Sequence, residues 1–144
     1  MPSFLRKSIA GGAVMVAAAA GVLLTAPAAS AGDGACPSGQ VCLFRFSQYD
    51  GGRWGSASDV NQYNTVVYDG TNINGGDSAS AINNNATRCT LRAFKDSFQS
   101  GASFNLSYPA RGGTWRDPNL SNGAGDKPGT NFDDSLSSHD FCPA

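Results

Sequence analysis

An aromatic, a glycine and a second aromatic recur in this chain at matched spacing, fifty positions apart. Phe44 lies seven residues before Gly51, and Phe94 lies seven before Gly101; at the same offset Val41 answers to Leu91 and Trp54 to Phe104. Spacing of this kind is what a duplicated supersecondary unit leaves behind, and two copies are too few for a solenoid. The expectation is a fold of two similar halves, residues 36–88 and 89–144 in round terms.

What precedes those halves reads as an export signal. Arg6 and Lys7 are followed by an apolar, alanine-rich run from Ile9 to Leu24 and then by the small-residue site Ala29-Ser30-Ala31, the order of a secretory signal peptide. A membrane span would need roughly 20 predominantly apolar residues; here Gly11, Gly12 and Gly21 interrupt the run and Thr25-Ala26-Pro27 ends it. Residues 1–31 are therefore expected to be a signal peptide. Residues 32–144 should form one secreted, extracellular domain, a length that suits a single core.

Without Arg6 and Lys7, eight basic residues face eleven acidic ones, a net charge of −3. That is too mild to imply a nucleic-acid or membrane partner. All eleven acids are aspartate. Asp favours turns and strand ends whereas Glu is a helix former, so the bias argues for an all-β fold rich in turns, and no apolar stripe at helical period contradicts it. In an oxidising compartment four cysteines in a small domain read as two disulfides. Of the three possible pairings, Cys36–Cys42 with Cys89–Cys142 is favoured: the first closes a turn around Pro37-Ser38-Gly39, and the second ties the start of the second half to the C-terminus. A zinc site is not expected, because no Cys-x-x-Cys occurs and His139 is the lone histidine.

Along the chain, Val41–Phe46 and Arg88–Phe94 have strand composition. Arg53–Ala57 and Ala102–Tyr108 are the expected hairpin partners, and Thr65–Tyr68 is a further short strand. Asn83-Asn84-Asn85 reads as a turn, since Asn tolerates left-handed backbone. Pro109–Gly129, made of Gly, Pro, Asn and Asp around a single Trp115, reads as a long surface loop.

A short strand, an aromatic-x6-Gly corner and a downstream serine, all twice over (Phe44, Gly51, Ser80; Phe94, Gly101, Ser137), resemble the βγ-crystallin repeat. The opening Cys36-Pro37-Ser38-Gly39-Gln40-Val41-Cys42-Leu43 is similar to that of secreted bacterial βγ-crystallin-like proteins grouped with the Streptomyces-type metalloproteinase inhibitors. The resemblance implies a sandwich of two Greek-key motifs. Val41, Leu43, Phe44, Phe46, Leu91, Phe94 and Phe104 would be core or corner residues, and the aromatic of each repeat would cover a folded-over hairpin at its glycine. It also implies a calcium site: Asp133-Asp134-Ser135-Leu136-Ser137-Ser138 fits the family's pattern of two Asp or Asn, two free positions, then Ser or Thr and Ser. Carboxylate, hydroxyl and carbonyl oxygens are what a hard cation takes. Asp134 and Ser137 are the leading side chains, and Asp77 and Ser80 form a degenerate counterpart in the first repeat. The plain alternative is that these residues cap turns.

The resemblance further implies a peptidase inhibitor acting as a monomer on a secreted protease. Such a protein needs a rigid, exposed segment that enters the enzyme's cleft without being released, and preorganisation keeps the entropic cost of binding low. The family's inhibitory loop lies in a second short disulfide loop, which this chain lacks, so the reactive bond does not carry over; Tyr63–Thr71 and Pro109–Pro118 are candidates by exposure. No enzyme is expected. His139 has Asp140 beside it, but neighbours on a strand point to opposite faces, and an exposed histidine is the simpler reading.

Overall fold

The computed structural model describes residues 35–143, so the leader expected over residues 1–31 lies outside the described residues. Strands β1 (Val41–Phe46), β2 (Asp50–Ser56), β3 (Ala81–Asn84) and β6 (Arg116–Asp117) form one antiparallel sheet in the order β2-β1-β3-β6. Strands β4 (Leu91–Asp96), β5 (Ser100–Leu106) and β9 (Ser138–Phe141) form a second in the order β5-β4-β9. A small ribbon pairs β7 (Gly123–Ala124) with β8 (Lys127–Pro128). Helix among the described residues is limited to single 3-10 turns.

The two sheets repeat each other position by position. β1 and β2 slip register between Phe44 and Phe46, and β4 and β5 slip between Phe94 and Asp96. The hairpin backbone turns left-handed at Gln48, Tyr49 and Gly51 (φ 61°, 61° and 79°) and again at Phe98, Gln99 and Gly101 (φ 58°, 53° and 76°). Each sheet also takes its fourth edge from the other half. Val60 bridges His139 of β9, and Asp117 of β6 pairs with Ile82 of β3. The halves are thus locked by backbone hydrogen bonds as well as by packing.

The ring expected over each glycine corner is not the one found there. A Cβ on Gly51 would collide with the Phe46 ring, and one on Gly101 with the Asp96 carboxylate; Phe44 instead meets Tyr49 edge-on at 5.2 Å. The covering position is five residues before the glycine in both repeats, and the second repeat fills it with an acid. Phe46, expected as a core or corner residue, stands at the corner and is 48% exposed, with the Arg45 guanidinium 4.8 Å from its ring centre.

Alternation explains why β1 tolerates a nearly continuous apolar run. Val41 and Leu43 point into the core between the sheets, while Cys42 and Phe44 point to the other face, where Cys36 and Ala81 close a second small cluster. The main core joins these to Ile82, Leu91, Ala93, Phe104 and Leu106, with Phe132 edge-on to Phe104 at 4.7 Å. Each Val, Leu, Ile or Phe among them contributes about 1.5–3 kcal/mol on full burial. The disulfides Cys36–Cys42 and Cys89–Cys142 are both formed.

Three local expectations are corrected. Asn83 and Asn84 are not in a turn; they end β3, buried. A polar strand survives there because Asn84 Nδ2 donates to the carbonyls of Cys89 (3.0 Å) and Ser107 (2.7 Å) while its Oδ1 accepts from Ala86 N–H, which meets the cost of burying an amide. Thr65–Tyr68 is not a strand: Tyr63–Thr65 is a 3-10 turn, and only Val67 forms a bridge, to Asn74. Pro109–Gly129 is not all surface, since Leu120 and Ala124 enter the core and Arg116–Asp117 pairs with β3.

His139 corrects a fourth. It is fully buried in place of exposed, with Nδ1 2.8 Å from Tyr63 Oη and Nε2 2.9 Å from the Ser58 carbonyl oxygen. A carbonyl can only accept, so Nε2 carries the proton and Nδ1 accepts from the tyrosine hydroxyl. Burial lowers its pKa to about 4 against weaker opposing effects of the Ser58 carbonyl and Asp59. His139 holds in the second repeat the place that Ile82 holds in the first.

Candidate functional site

The aspartate and serine segments selected from the sequence meet where the two halves exchange hydrogen bonds. Asp77 and Asp134 both take left-handed backbone (φ 48° and 47°), which Asp tolerates better than most residues. Asp77 N–H donates to the Leu136 carbonyl at 3.0 Å and Asp134 N–H to the Ala79 carbonyl at 3.1 Å. Ser80 and Ser137 each donate their N–H at 3.0 Å to the carbonyl of Phe44 or Phe94 in their own half. Among these aspartates and serines a side-chain contact also joins the halves: Ser137 Oγ donates to Asp77 Oδ1 at 2.8 Å.

Two clefts flank this junction and correspond under the internal repeat. The larger, about 480 Å³, is lined by Asp77, Lys95, Asp96, Ser97, Asp134, Ser135 and Ser137. The smaller, about 280 Å³, is lined by Arg45, Phe46, Ile73, Asp77, Ser78, Ser80 and Asp134. Burial first and the Asp133 carboxylate second raise the Asp134 pKa, and Arg45 opposes them. Asp133 lines neither cleft; its N–H is held by Asn131 Oδ1 at 2.8 Å.

The donor set differs between the clefts. The larger offers three carboxylates and three hydroxyls on its walls; one of these, Ser135 Oγ, and the nearby Asp133 Oδ1 are buried oxygens without a hydrogen-bond partner. Oxygens of this kind suit a calcium ion that completes its shell with backbone carbonyls. The smaller cleft has Phe46 where the larger has Asp96, and so one carboxylate and one hydroxyl fewer; a basic side chain stands on the wall of each, Arg45 in the smaller and Lys95 in the larger. No three acidic, histidine or cysteine side chains converge as a ready metal cluster among the described residues.

The two segments singled out for protease contact differ in how much of them is buried. Within Tyr63–Thr71, Tyr63 and Tyr68 are buried to 0% and 1% exposure and nail the segment to the core, leaving Val67, Asp69 and Gly70 outside. Arg53 ties its tip through Asp69, with the charged groups 3.6 Å apart and Asp69 N–H on the Arg53 carbonyl at 2.8 Å. In Pro109–Pro118, residues 109–114 are all exposed, and Trp115 lies half-buried beneath the Arg116 guanidinium. Sequence reasoning missed the exposed apolar side chains Phe46, Val67, Ile73 and Phe98. Phe98 carried a signal, since it matches Gln48 at the tip of the other hairpin.

Comparison with known proteins places this geometry. The chain is similar in structure to a βγ-crystallin from Ciona intestinalis, with 24% identity, 71% of this chain and 98% of that one covered, and a TM-score of 0.51. It is also similar to a structure described under the evolution of the eye lens βγ-crystallin domain fold, with 19% identity, 76% and 92% covered, and a TM-score of 0.54. At these identities the likeness concerns the fold, a βγ-crystallin one. No curated protein matches the chain. The model of peptidase inhibitor family I36 matches residues 29–106, more than half of the sequence. On that match, the chain belongs to peptidase inhibitor family I36.

Proposed function

We propose that the protein is secreted and, as a monomer, blocks an extracellular peptidase by presenting a rigid surface segment to its cleft, with metallopeptidases the first class to test. The family match over residues 29–106 carries this reading. The scaffold supports it: two disulfides and a hydrogen-bonded junction between halves leave little conformational entropy to lose on binding. In a titration of a thermolysin-type enzyme at about 100 nM, an equimolar amount of an inhibitor with a Kd of about 1 nM leaves about a tenth of the activity. Undiminished activity across several secreted metallopeptidases would remove that class of target, and across serine peptidases too would remove the inhibitor reading.

A second reading, compatible with the first, is favoured by the Asp77–Ser137 contact and the partnerless oxygens of Asp133 and Ser135. In it the larger cleft holds calcium through Asp134, Ser137 and Asp77, with Ser80 as the degenerate counterpart. Calcium would there join the two halves and stiffen the scaffold. A hundredfold excess over Kd adds about 2.7 kcal/mol, or about 10 °C in Tm for a domain of this size. Asp134→Ala should abolish the shift; a melt indifferent to calcium or to this substitution sinks the reading.

A further inference from the structure

The internal repeat identifies one segment that the fold itself does not require. Matched positions are fifty apart through the hairpins, as in Gly51 and Gly101, but fifty-seven apart afterwards, as in Asp77 and Asp134. The change falls between β5 and β6: three residues, 57–59, lead from β2 to the Val60 bridge, whereas ten, 107–116, lead from β5 to Asp117. Seven residues have been added there. They also begin where the match to the inhibitor family, residues 29–106, stops.

The added loop is built rigidly. Ser107 N–H donates to the Thr114 carbonyl at 2.8 Å and closes its base. The buried Asn84 then grips both stems, donating through Nδ2 to the Ser107 carbonyl at 2.7 Å and through its backbone N–H to the Trp115 carbonyl at 2.8 Å. Within the loop, Pro109–Arg111 makes one 3-10 turn, and Gly112 and Gly113 (φ 76° and 80°) bring the chain back. Arg111 stands exposed at the apex, and among the described residues its guanidinium has neither an ion pair nor a hydrogen bond. Asp126, which lines the groove beneath the loop, has both carboxylate oxygens committed to Asn105, at 2.7 and 2.8 Å.

We propose that the Ser107–Trp115 loop is a second peptidase-contact segment, with Arg111 as the residue that enters the carboxylate-lined specificity pocket of a trypsin-type serine peptidase. This rests on the inhibitor reading. An exposed, uncompensated guanidinium on a preorganised loop is complementary to an acidic pocket, and its planar fork pairs bidentately with carboxylate. Cleavage needs the reacting atoms aligned at about 3–3.5 Å. The backbone at Arg111 is coiled, with Gly112 N–H turned to the Pro109 carbonyl at 3.3 Å, so the guanidinium can be held while the following peptide bond is kept out of line for attack.

The test is a pair of inhibition titrations on the full secreted chain, one against a trypsin-type and one against a thermolysin-type peptidase. Wild-type protein is expected to inhibit the trypsin-type enzyme and to keep the Arg111–Gly112 bond intact by mass spectrometry. Arg111→Ala should weaken that inhibition about a hundredfold, as loss of an interface anchor does, and Arg111→Lys should retain most of it; neither should alter inhibition of the thermolysin-type enzyme. Full inhibition by Arg111→Ala, rapid cleavage after Arg111, or inhibition of the thermolysin-type enzyme alone overturns the assignment while leaving the inhibitor reading in place. No inhibition of either enzyme removes this assignment, and the wider panel then decides the inhibitor reading separately.

Discussion

Replacing Cys89 and Cys142 together with serine is expected to cost about 4 kcal/mol of stability, on chain entropy alone for a loop of 53 residues. A domain of this size has in all about 5–15 kcal/mol to lose. The effect should also be local. Cys142 N–H donates to the Thr90 carbonyl at 3.0 Å just past the register Leu91↔Phe141, so the disulfide clamps the open end of the β4–β9 ladder. Once it is cut, β9 can fray, and with it the His139–Val60 bridge that gives the second sheet its fourth edge. The Cys36–Cys42 loop, six residues long, gives about 2 kcal/mol on the same entropic argument. Urea unfolding of the double-serine variant, with hydrogen exchange to read β9, checks both parts. A loss below about 1 kcal/mol, or uniform protection in β9, rejects the role assigned to the second bridge.

The framework was legible because it rests on local chemistry repeated twice. The apolar strands starting at Val41 and Leu91, the glycines 51 and 101 at positive φ and the even cysteine count are all signals that a short window carries. Asn83 and Asn84 were illegible for the opposite reason. Their strand exists because carbonyls at Cys89 and Ser107 satisfy an amide from across the fold, and propensity contains no information on partners so distant. That Phe46 is the ring nearest Gly51 was not legible, because a single residue decides whether the corner is covered by a ring or, as at Asp96, by a carboxylate.

The junction between halves was legible in part. The Asp and Ser pattern singled out Asp77, Asp134, Ser80 and Ser137, and the fold gathers all four on the walls of two clefts. Their surroundings came from elsewhere in the chain: Lys95 and Asp96 at one cleft, Arg45 and Phe46 at the other. These are matched positions of the repeat, and the exchange of Asp96 for Phe46 gives the larger cleft a third carboxylate where the smaller has a ring. The change of offset from fifty to fifty-seven was already present in the matched residues Gly51 and Gly101 against Ser80 and Ser137, but placing the added residues between β5 and β6 needed the register of both sheets.

Acidification from pH 7 to pH 4 is expected to destabilise the protein by about 3 kcal/mol through His139 alone. A free histidine titrates near 6.5, whereas burial holds this one at about 4. Between those values the unfolded chain binds a proton that the folded chain refuses, so stability falls as pH drops through the window and is fully retained above about 6.5. The geometry explains the refusal. Nδ1 accepts from Tyr63 Oη and Nε2 faces the Ser58 carbonyl, and a second ring proton would meet the hydroxyl of the fully buried Tyr63. Asp117, Asp134 and Asp140 have raised pKa values and contribute with the opposite sign, gaining stability as they protonate near the acidic end. The comparison is therefore with His139→Gln, whose amide can donate to the Ser58 carbonyl and accept from Tyr63 without titrating. Wild-type Tm should fall by about 12 °C more than that of the variant between pH 7 and pH 4. Parallel melting profiles would mean that the imidazole is reached by solvent and is not the neutral link between Tyr63 and Ser58.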